Sequence, residues 1–278
     1  MSVPRRFSQV DVFTKRPFFG NPVAVILEAE GLSSEEMQQV AQWTNLSETT
    51  FVTPATDARA DYVTRIFTPT EELPFAGHPT LGTAHAVIEA GLATPTDGKL
   101  VMQCHAGLVD ISVETEGLSF RLPRFVPRSI KNGAALPGIL GGGQIVGEAE
   151  VIDYGPHWVT ARVDDVVAVS PDPAQLKGFL AVNGATGVTV YSEAAPGEVA
   201  VRSFFFTGGL VEDPVCGSGN AAVAVHRMRA GAIGNGDSYL ARQGQQIGRD
   251  GEILIRIENG DVFVGGSCVT VVQGQMLI

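Results

Sequence analysis

Two stretches of the chain repeat one pattern, and this repeat restricts the fold more than any other feature. PFAGHPTLGTAHAVIEAG (74–91) aligns with PVCGSGNAAVAVHRMRAG (214–231) at a constant offset of 140 residues. Upstream, RIF (65–67) resembles RSF (202–204) at a nearly equal offset. In each copy small residues precede an apolar run, which is typical of the start of a buried helix. The repeat therefore predicts two halves of similar topology.

The segments around each repeat predict an α+β fold. Short runs rich in β-branched and aromatic residues, such as FSQVDVF (7–13) and NPVAVIL (21–27), predict strands. Ser33 and Glu36 form a capping box for a helix that should end near Asn45. In the second half, Asp172-Pro173 predicts the start of the corresponding helix. Strands and helices therefore recur in the same order.

The lobe boundary is predicted from composition. A chain of 278 residues exceeds a typical single core, so two lobes are expected. Residues 124–147 are rich in Gly and Pro and interrupt the periodicity, which indicates a connection. We predict an N-terminal lobe over 1–123, and a linker with the C-terminal lobe over 124–278, with the last strand free to return to the first lobe.

Charge and cysteine content exclude several classes of partner. A net charge of −11 and a pI near 4.9 oppose binding to nucleic acid or to an anionic membrane surface. Cys104, Cys216 and Cys268 are widely separated and odd in number, which favours a reducing compartment, and no apolar run reaches transmembrane length. We therefore expect a cytoplasmic protein. The histidines show no metal-ligand spacing, so no metal is expected.

The stretch EDPVCGSGN (212–220) allows several interpretations. Cys216 falls at the start of the second repeat helix, where backbone N–H groups would lower the pKa of its thiol. A small buried residue is the equally supported alternative. The same letters satisfy the dinucleotide pattern G-x-G-x-x-A. That interpretation is disfavoured because TGGLVEDPV (207–215) separates the preceding strand from Gly217.

The two repeats differ where chemistry is expected. Unpaired N–H groups at two helix starts would suit a small carboxylate-bearing substrate, and a pseudo-twofold arrangement could aim both into one cleft. However, Ser218 aligns with His78, and Cys216 aligns with Ala76. A racemase with paired cysteines needs an acid and a base on opposite faces of a carbon. Only one thiol is available at the repeated position, so the predicted site is asymmetric.

Several motifs together resemble one known family. RIFTPTEELPFAGHPT (65–80), EDPVCGSGN (212–220) and RQGQQIGRDGEI (242–253) are similar to motifs of the PhzF-like isomerases of phenazine biosynthesis. The resemblance spans nearly the whole chain. It implies the diaminopimelate epimerase-like fold: two pseudo-symmetric lobes, each with a central helix wrapped by mostly antiparallel strands. It also implies an isomerase that acts without a cofactor, and a homodimer.

The resemblance assigns roles to individual residues. Glu48, in the SET motif, corresponds to the glutamate that shuttles the proton. His78, Asp213 and Ser218 correspond to residues that hold the substrate's polar groups and assist proton transfer. The flanking residues are predicted to bind substrate: Gly77, Gly217, Gly219 and Asn220.

Cys216 departs from the family pattern, because many members carry threonine there. It keeps open a two-base amino-acid epimerase or racemase in which Cys216 is the second base. A non-catalytic small-molecule binding protein is the alternative from another class, and it would require no proton exchange.

Overall fold

The computed structural model describes residues 2–122 and 124–278. The chain forms two compact units. Unit 1 comprises the chain up to Phe120 together with Gly265–Ile278, and unit 2 comprises Arg121–Val264. The strands and helices are numbered in chain order. Among the described residues, no helix is both long and apolar enough to cross a membrane.

Unit 1 begins with eight strands and two helices: β1 (Pro4–Val12), β2 (Asn21–Ile26), α1 (Ser34–Thr44), β3 (Thr49–Pro54), β4 (Tyr62–Phe67), β5 (Glu72–Leu73), α2 (Gly77–Glu89), β6 (Lys99–Cys104), β7 (Gly107–Glu114) and β8 (Gly117–Arg121). Strand β2 runs parallel to β3, and β4 runs parallel to β6, whereas β1/β2, β3/β4, β4/β5, β6/β7 and β7/β8 are antiparallel. The sheet is therefore mostly antiparallel.

Helix α2 is the central helix of unit 1. Its residues are buried from His78 through Ala84, as are Ala86 and Val87. The helix lies so close to the sheet that a Cβ at Gly82 would come within 2.4 Å of Val23 Cγ1. Only glycine fits at this contact, because real Cβ atoms do not approach other heavy atoms so closely. This explains the glycine in the middle of an otherwise regular helix.

Unit 2 begins with an added strand and helix, β9 (Val126–Ser129) and α3 (Leu136–Leu140). It then repeats the order of unit 1: β10 (Glu150–Asp153), β11 (His157–Arg162), α4 (Pro173–Asn183), β12 (Gly187–Ala195), β13 (Glu198–Phe206), β14 (Leu210–Glu212), α5 (Gly217–Arg229), β15 (Ser238–Gln243), β16 (Gly251–Glu258) and β17 (Asp261–Gly266). Strand β11 is parallel to β12 and β13 is parallel to β15, as β2/β3 and β4/β6 are in unit 1. The last strand, β18 (Cys268–Leu277), pairs antiparallel with β1.

The duplication extends to individual side chains. Arg65 forms a two-point ion pair with Glu72, at 2.7 and 2.6 Å, and lies 5.1 Å from the centre of the Phe67 ring. In unit 2, Arg202 forms the same ion pair with Glu212, at 2.9 and 2.7 Å, with a similar contact to its own neighbouring phenylalanine ring. Each pair ties a long strand to the short strand that leads into the central helix.

Local signals at helix ends are confirmed, whereas the composition of residues 124–147 was misleading. Ser33 and Glu36 cap α1 reciprocally, and Asn45 ends it in the left-handed conformation. The segment 124–147 is not merely a connection, because it contains β9 and α3, and Leu136 and Leu140 are fully buried in the core of unit 2. Its glycines allow close packing: a Cβ at residue 142 would lie 2.0 Å from a backbone carbonyl oxygen.

Candidate active site

Glu48 lies directly before β3, at the edge where β3 pairs with β2. Its backbone carbonyl accepts a hydrogen bond from the Ala24 N–H at 3.4 Å. Its side chain is 15% exposed, and its Oε2 lies 3.3 Å from Nε2 of His78. The structure therefore brings together the two catalytic residues predicted in the first half of the chain, Glu48 and His78.

Burial changes the acidity of Glu48. Removal from water raises the pKa of its carboxyl to about 7, and a hydrogen bond with Ser47 only partly opposes this effect. The carboxyl is therefore present in both protonation states near neutral pH. A group with this pKa can take a proton from a substrate and return it, which is the requirement for a general acid/base.

The first turn of α2 holds His78 beside this carboxyl. The N-terminal cap, Ala76, provides no side-chain hydrogen bond to the helix. His78 is buried, with only 8% of its surface exposed. A Cβ at Gly77 would lie 2.9 Å from Cζ of Phe120, and glycine lets that ring pack against the helix start. Of the two predicted residues in this turn, Gly77 makes room for the packing. His78 lies beside the Glu48 carboxyl, and its part in catalysis stays a prediction.

The corresponding turn of α5 in unit 2 contains Cys216, which is its N-cap. Its Sγ accepts a hydrogen bond from the Gly219 N–H at 3.2 Å. The expected lowering of the thiol pKa is wrong. Burial, followed by the negative charge of Asp213, raises the pKa of the Cys216 thiol well above its ordinary value, and the Gly219 N–H opposes this only weakly. The side chain is therefore a neutral thiol at physiological pH.

Ser218 is held by two residues that the sequence analysis did not identify. Its Oγ accepts a hydrogen bond from Nε1 of Trp158 at 3.1 Å and lies 3.4 Å from Sγ of Cys216. The hydroxyl of Tyr154 donates to the Ser218 carbonyl oxygen. Both aromatic residues lie in the β10–β11 region, distant from Ser218 in sequence. The alignment of the two repeats does not cover them, so no signal in the repeat could have found them.

Asp213 and Asn220 belong to a hydrogen-bonded network around the same turn. Oδ1 of Asp213 accepts from the Val215 N–H at 3.0 Å. Nδ2 of Asn220 donates to the Cys216 carbonyl at 2.9 Å and to Oε1 of Gln243 at 2.8 Å, and Gln243 in turn donates to the Asp213 carbonyl. Asn220 is fully buried. The geometry gives it a role in fixing the turn, and its direct contact with substrate stays a prediction.

The glycines of this turn are required for packing. A Cβ at Gly219 would lie 2.4 Å from Oγ of Ser203. Gly217, the first residue of α5, is also buried. Within residues 2–122 and 124–278, no cluster of three or more His, Cys, Asp or Glu side chains could hold a metal ion.

The family model described as "Phenazine biosynthesis-like protein" (PhzC-PhzF) matches residues 10–274. The chain belongs to this PhzF family. The predicted family is thereby confirmed, and the similar proteins and solved structures confirm the predicted isomerase class and fold class.

Relatives and solved structures agree with this assignment. The chain is 37% identical to "Antisense-enhancing sequence 1" of Schizosaccharomyces pombe, covering 98% of both chains. It is 36% identical to the trans-2,3-dihydro-3-hydroxyanthranilate isomerase of Pseudomonas aeruginosa, covering 91% of this chain and 90% of that one. The crystal structure of a PhzF-family protein from Bacillus anthracis matches with a TM-score of 0.86 and 23% identity, covering 99% of this chain and all of the other, which shows the shared fold.

Proposed function

We propose that this PhzF-family isomerase moves a proton within a small carboxylate-bearing substrate, with Glu48 as its single acid/base. The observation that carries the proposal is a buried carboxyl with a pKa of about 7, placed 3.3 Å from His78. The proposal requires no cofactor, because the protons and electrons of an isomerisation balance within the substrate.

The proposed steps follow from the chemistry of one carboxyl. Ionised Glu48 takes a proton from one substrate carbon, and the electron pair of that C–H bond delocalises over the adjacent conjugated system. The protonated carboxyl then returns the proton to another carbon of the same intermediate. Nε2 of His78 lies 3.3 Å from Oε2 of this carboxyl, and His78 is proposed to assist the proton transfer. In unit 2, Ser218 and Asp213 are proposed to hold polar groups of the substrate.

The substrate is proposed at the level of a class. One relative is named for an isomerisation of trans-2,3-dihydro-3-hydroxyanthranilate, which is a cyclic amino and hydroxy acid. A second relative of nearly equal identity has a name that states no reaction. Similarity of this degree therefore supports a small carboxylic acid with an acidic C–H bond, and does not select one compound.

This class can be tested by a screen in deuterium oxide. Cyclic and acyclic amino and hydroxy acids, including trans-2,3-dihydro-3-hydroxyanthranilate, are incubated with the enzyme and followed by proton NMR. We expect one or more to isomerise, and a non-catalytic binder would leave every C–H signal unchanged. The Glu48→Gln variant serves as the control for protein-dependent exchange.

A two-base epimerase that uses Cys216 is the alternative mechanism, and replacing the thiol separates the two. Cys216→Ala is expected to retain turnover within about tenfold of wild type, because the buried thiol is neutral and its counterpart in unit 1 is already Ala76. Steady-state kinetics on the substrate found by the screen provide the measurement. Loss of activity with unchanged stability would favour the epimerase.

We also propose that the protein acts in the cytoplasm as a homodimer. Family resemblance supports the dimer, and three cysteines that are all free among the described residues suit a reducing compartment. Light scattering on the purified protein measures the oligomeric state.

A further inference from the structure

The strand registers of the two units identify the counterpart of Glu48. In unit 1, Thr49 pairs with Phe67, and Glu48 precedes it. In unit 2, Val188 pairs with Phe204, which corresponds to Phe67 because each follows the arginine of the duplicated ion pair. The residue before Val188 is Gly187. The position of the proposed acid/base is therefore occupied by glycine in unit 2.

Position 187 has no room for a side chain. A Cβ there would lie 2.4 Å from the Phe204 carbonyl oxygen and 2.6 Å from Cζ3 of Trp158. The first of these contacts is with backbone, which cannot move without disturbing the β12/β13 pairing. The indole ring of Trp158 fills the adjacent space and is 3% exposed. At this position unit 2 therefore has a glycine packed against an aromatic ring, where unit 1 has a carboxylate side chain.

The same ring contacts the residue that corresponds to His78. Glu48 and His78 are 3.3 Å apart in unit 1, and in unit 2 Nε1 of Trp158 is 3.1 Å from Oγ of Ser218, the residue aligned with His78. An indole N–H donates hydrogen bonds and accepts none. Ser218 must therefore act as the acceptor in this contact, so its own proton points to a different group.

The available acceptors for the Ser218 proton are few. The Cys216 thiol, 3.4 Å away, already accepts from the Gly219 N–H and is hydrogen-bonded to the Asp213 carboxylate. Sulfur is a weak acceptor compared with a carboxylate or hydroxyl oxygen. A substrate oxygen placed beside Ser218 would therefore receive its proton in preference to the thiol.

We infer that Trp158 is a positioning residue that orients the Ser218 hydroxyl as a hydrogen-bond donor to an acceptor oxygen of the substrate, such as its carboxylate. This inference rests on the proposed function for the identity of the substrate class. Trp158 thereby makes the site favour a ligand that places an acceptor oxygen beside the Ser218 hydroxyl. Trp158 acts only through Ser218, and its effect should disappear when the serine hydroxyl is absent.

Binding of 3-hydroxyanthranilate, a stable aromatic analogue of the cyclic amino and hydroxy acid class, tests the inference by calorimetry. Trp158→Phe keeps an aromatic ring and removes the N–H, and is expected to weaken binding about tenfold. Ser218→Ala should weaken it to a similar extent, and the double variant should bind no more weakly than Ser218→Ala alone. Trp43→Phe is the matched control, because Trp43 is the other tryptophan and is 79% exposed. It should bind as wild type does.

The outcomes distinguish this inference from the proposed function. Unchanged affinity in Trp158→Phe, additive losses in the double variant, or no binding to wild type would each overturn the inference. The expected binding pattern without isomerisation of any substrate would contradict the proposed function and leave the inference standing. If Trp158→Phe does not fold, proton–nitrogen NMR of wild type decides. The Trp158 indole N–H resonance should shift downfield when the analogue binds, and an unshifted resonance would overturn the inference.

Discussion

Replacing Glu48 with Gln is expected to reduce turnover by at least about a hundredfold, which is the usual lower scale for loss of a general acid/base. Glutamine keeps the size and polarity of the side chain and cannot carry the proton. Steady-state kinetics on the substrate found by the screen provide the measurement, with exposed Glu30→Gln as the matched control. Activity of Glu48→Gln within a few-fold of wild type would show that another group moves the proton.

The stability of Glu48→Gln provides a separate check that the variant folds. Because the folded-state pKa of Glu48 is raised to about 7, the folded protein binds this proton more tightly than the unfolded chain does. The raised pKa therefore favours folding at low pH, and this contribution is lost as pH rises from about 4.5 to about 7. At pH 8 the variant should be more stable than wild type, by up to about 3 kcal/mol. Equal stability of the two proteins at pH 8 would contradict the raised pKa.

Replacing Arg202 with Ala is expected to reduce the free energy of unfolding by about 3–5 kcal/mol, the cost of breaking a buried ion pair. The Arg202 and Glu212 side chains are only 9% and 10% exposed, and the guanidinium also donates to the carbonyls of Val166 and Val169. The variant leaves the Glu212 carboxylate and these carbonyls without their buried donor. Chemical denaturation of the two proteins measures the difference.

The duplication provides an internal comparison for this prediction. Arg65→Ala breaks the corresponding ion pair in unit 1, where the Arg65 and Glu72 side chains are 23% and 21% exposed. Water can partly solvate the remaining carboxylate there, so the loss should be smaller than for Arg202→Ala. An equal or larger loss in Arg65→Ala would contradict the assignment of the difference to burial.

The sequence predicted the features that depend on short-range pattern. Three such patterns are local: the capping box at Ser33, the helix end at Asn45, and the repeat at 74–91 and 214–231. The structure has a capped helix start at Ser33, a helix end at Asn45, and a helix within each copy of the repeat. The repeat also predicted that the two units differ in their polar residues. Glu48 itself was assigned by family resemblance, because a glutamate before a strand is by itself typical of a solvent-facing residue.

Features that depend on tertiary contacts could not be predicted in this way. The donation from Trp158 to Ser218 joins residues on β11 and α5, and nothing in either segment indicates the other. The raised pKa of the Cys216 thiol cannot be predicted from the sequence, because the helix start is visible there and the depth of burial is not. Glycine and proline in 124–147 suggested a connection, but here glycine permits close backbone packing around α3.

The most direct test of the account is the origin of the hydrogen that reaches the second carbon. If Glu48 alone carries it, some turnovers should finish before the carboxyl proton exchanges with solvent. In a single turnover of protonated substrate in deuterium oxide, NMR or mass spectrometry of the product should find part of the original protium at the receiving carbon. A two-base epimerase would deliver deuterium, because its second acid is exchanged with solvent before the reaction. Complete deuteration at that carbon, with Glu48 exchange shown to be slower than chemistry, would contradict transfer by a single residue.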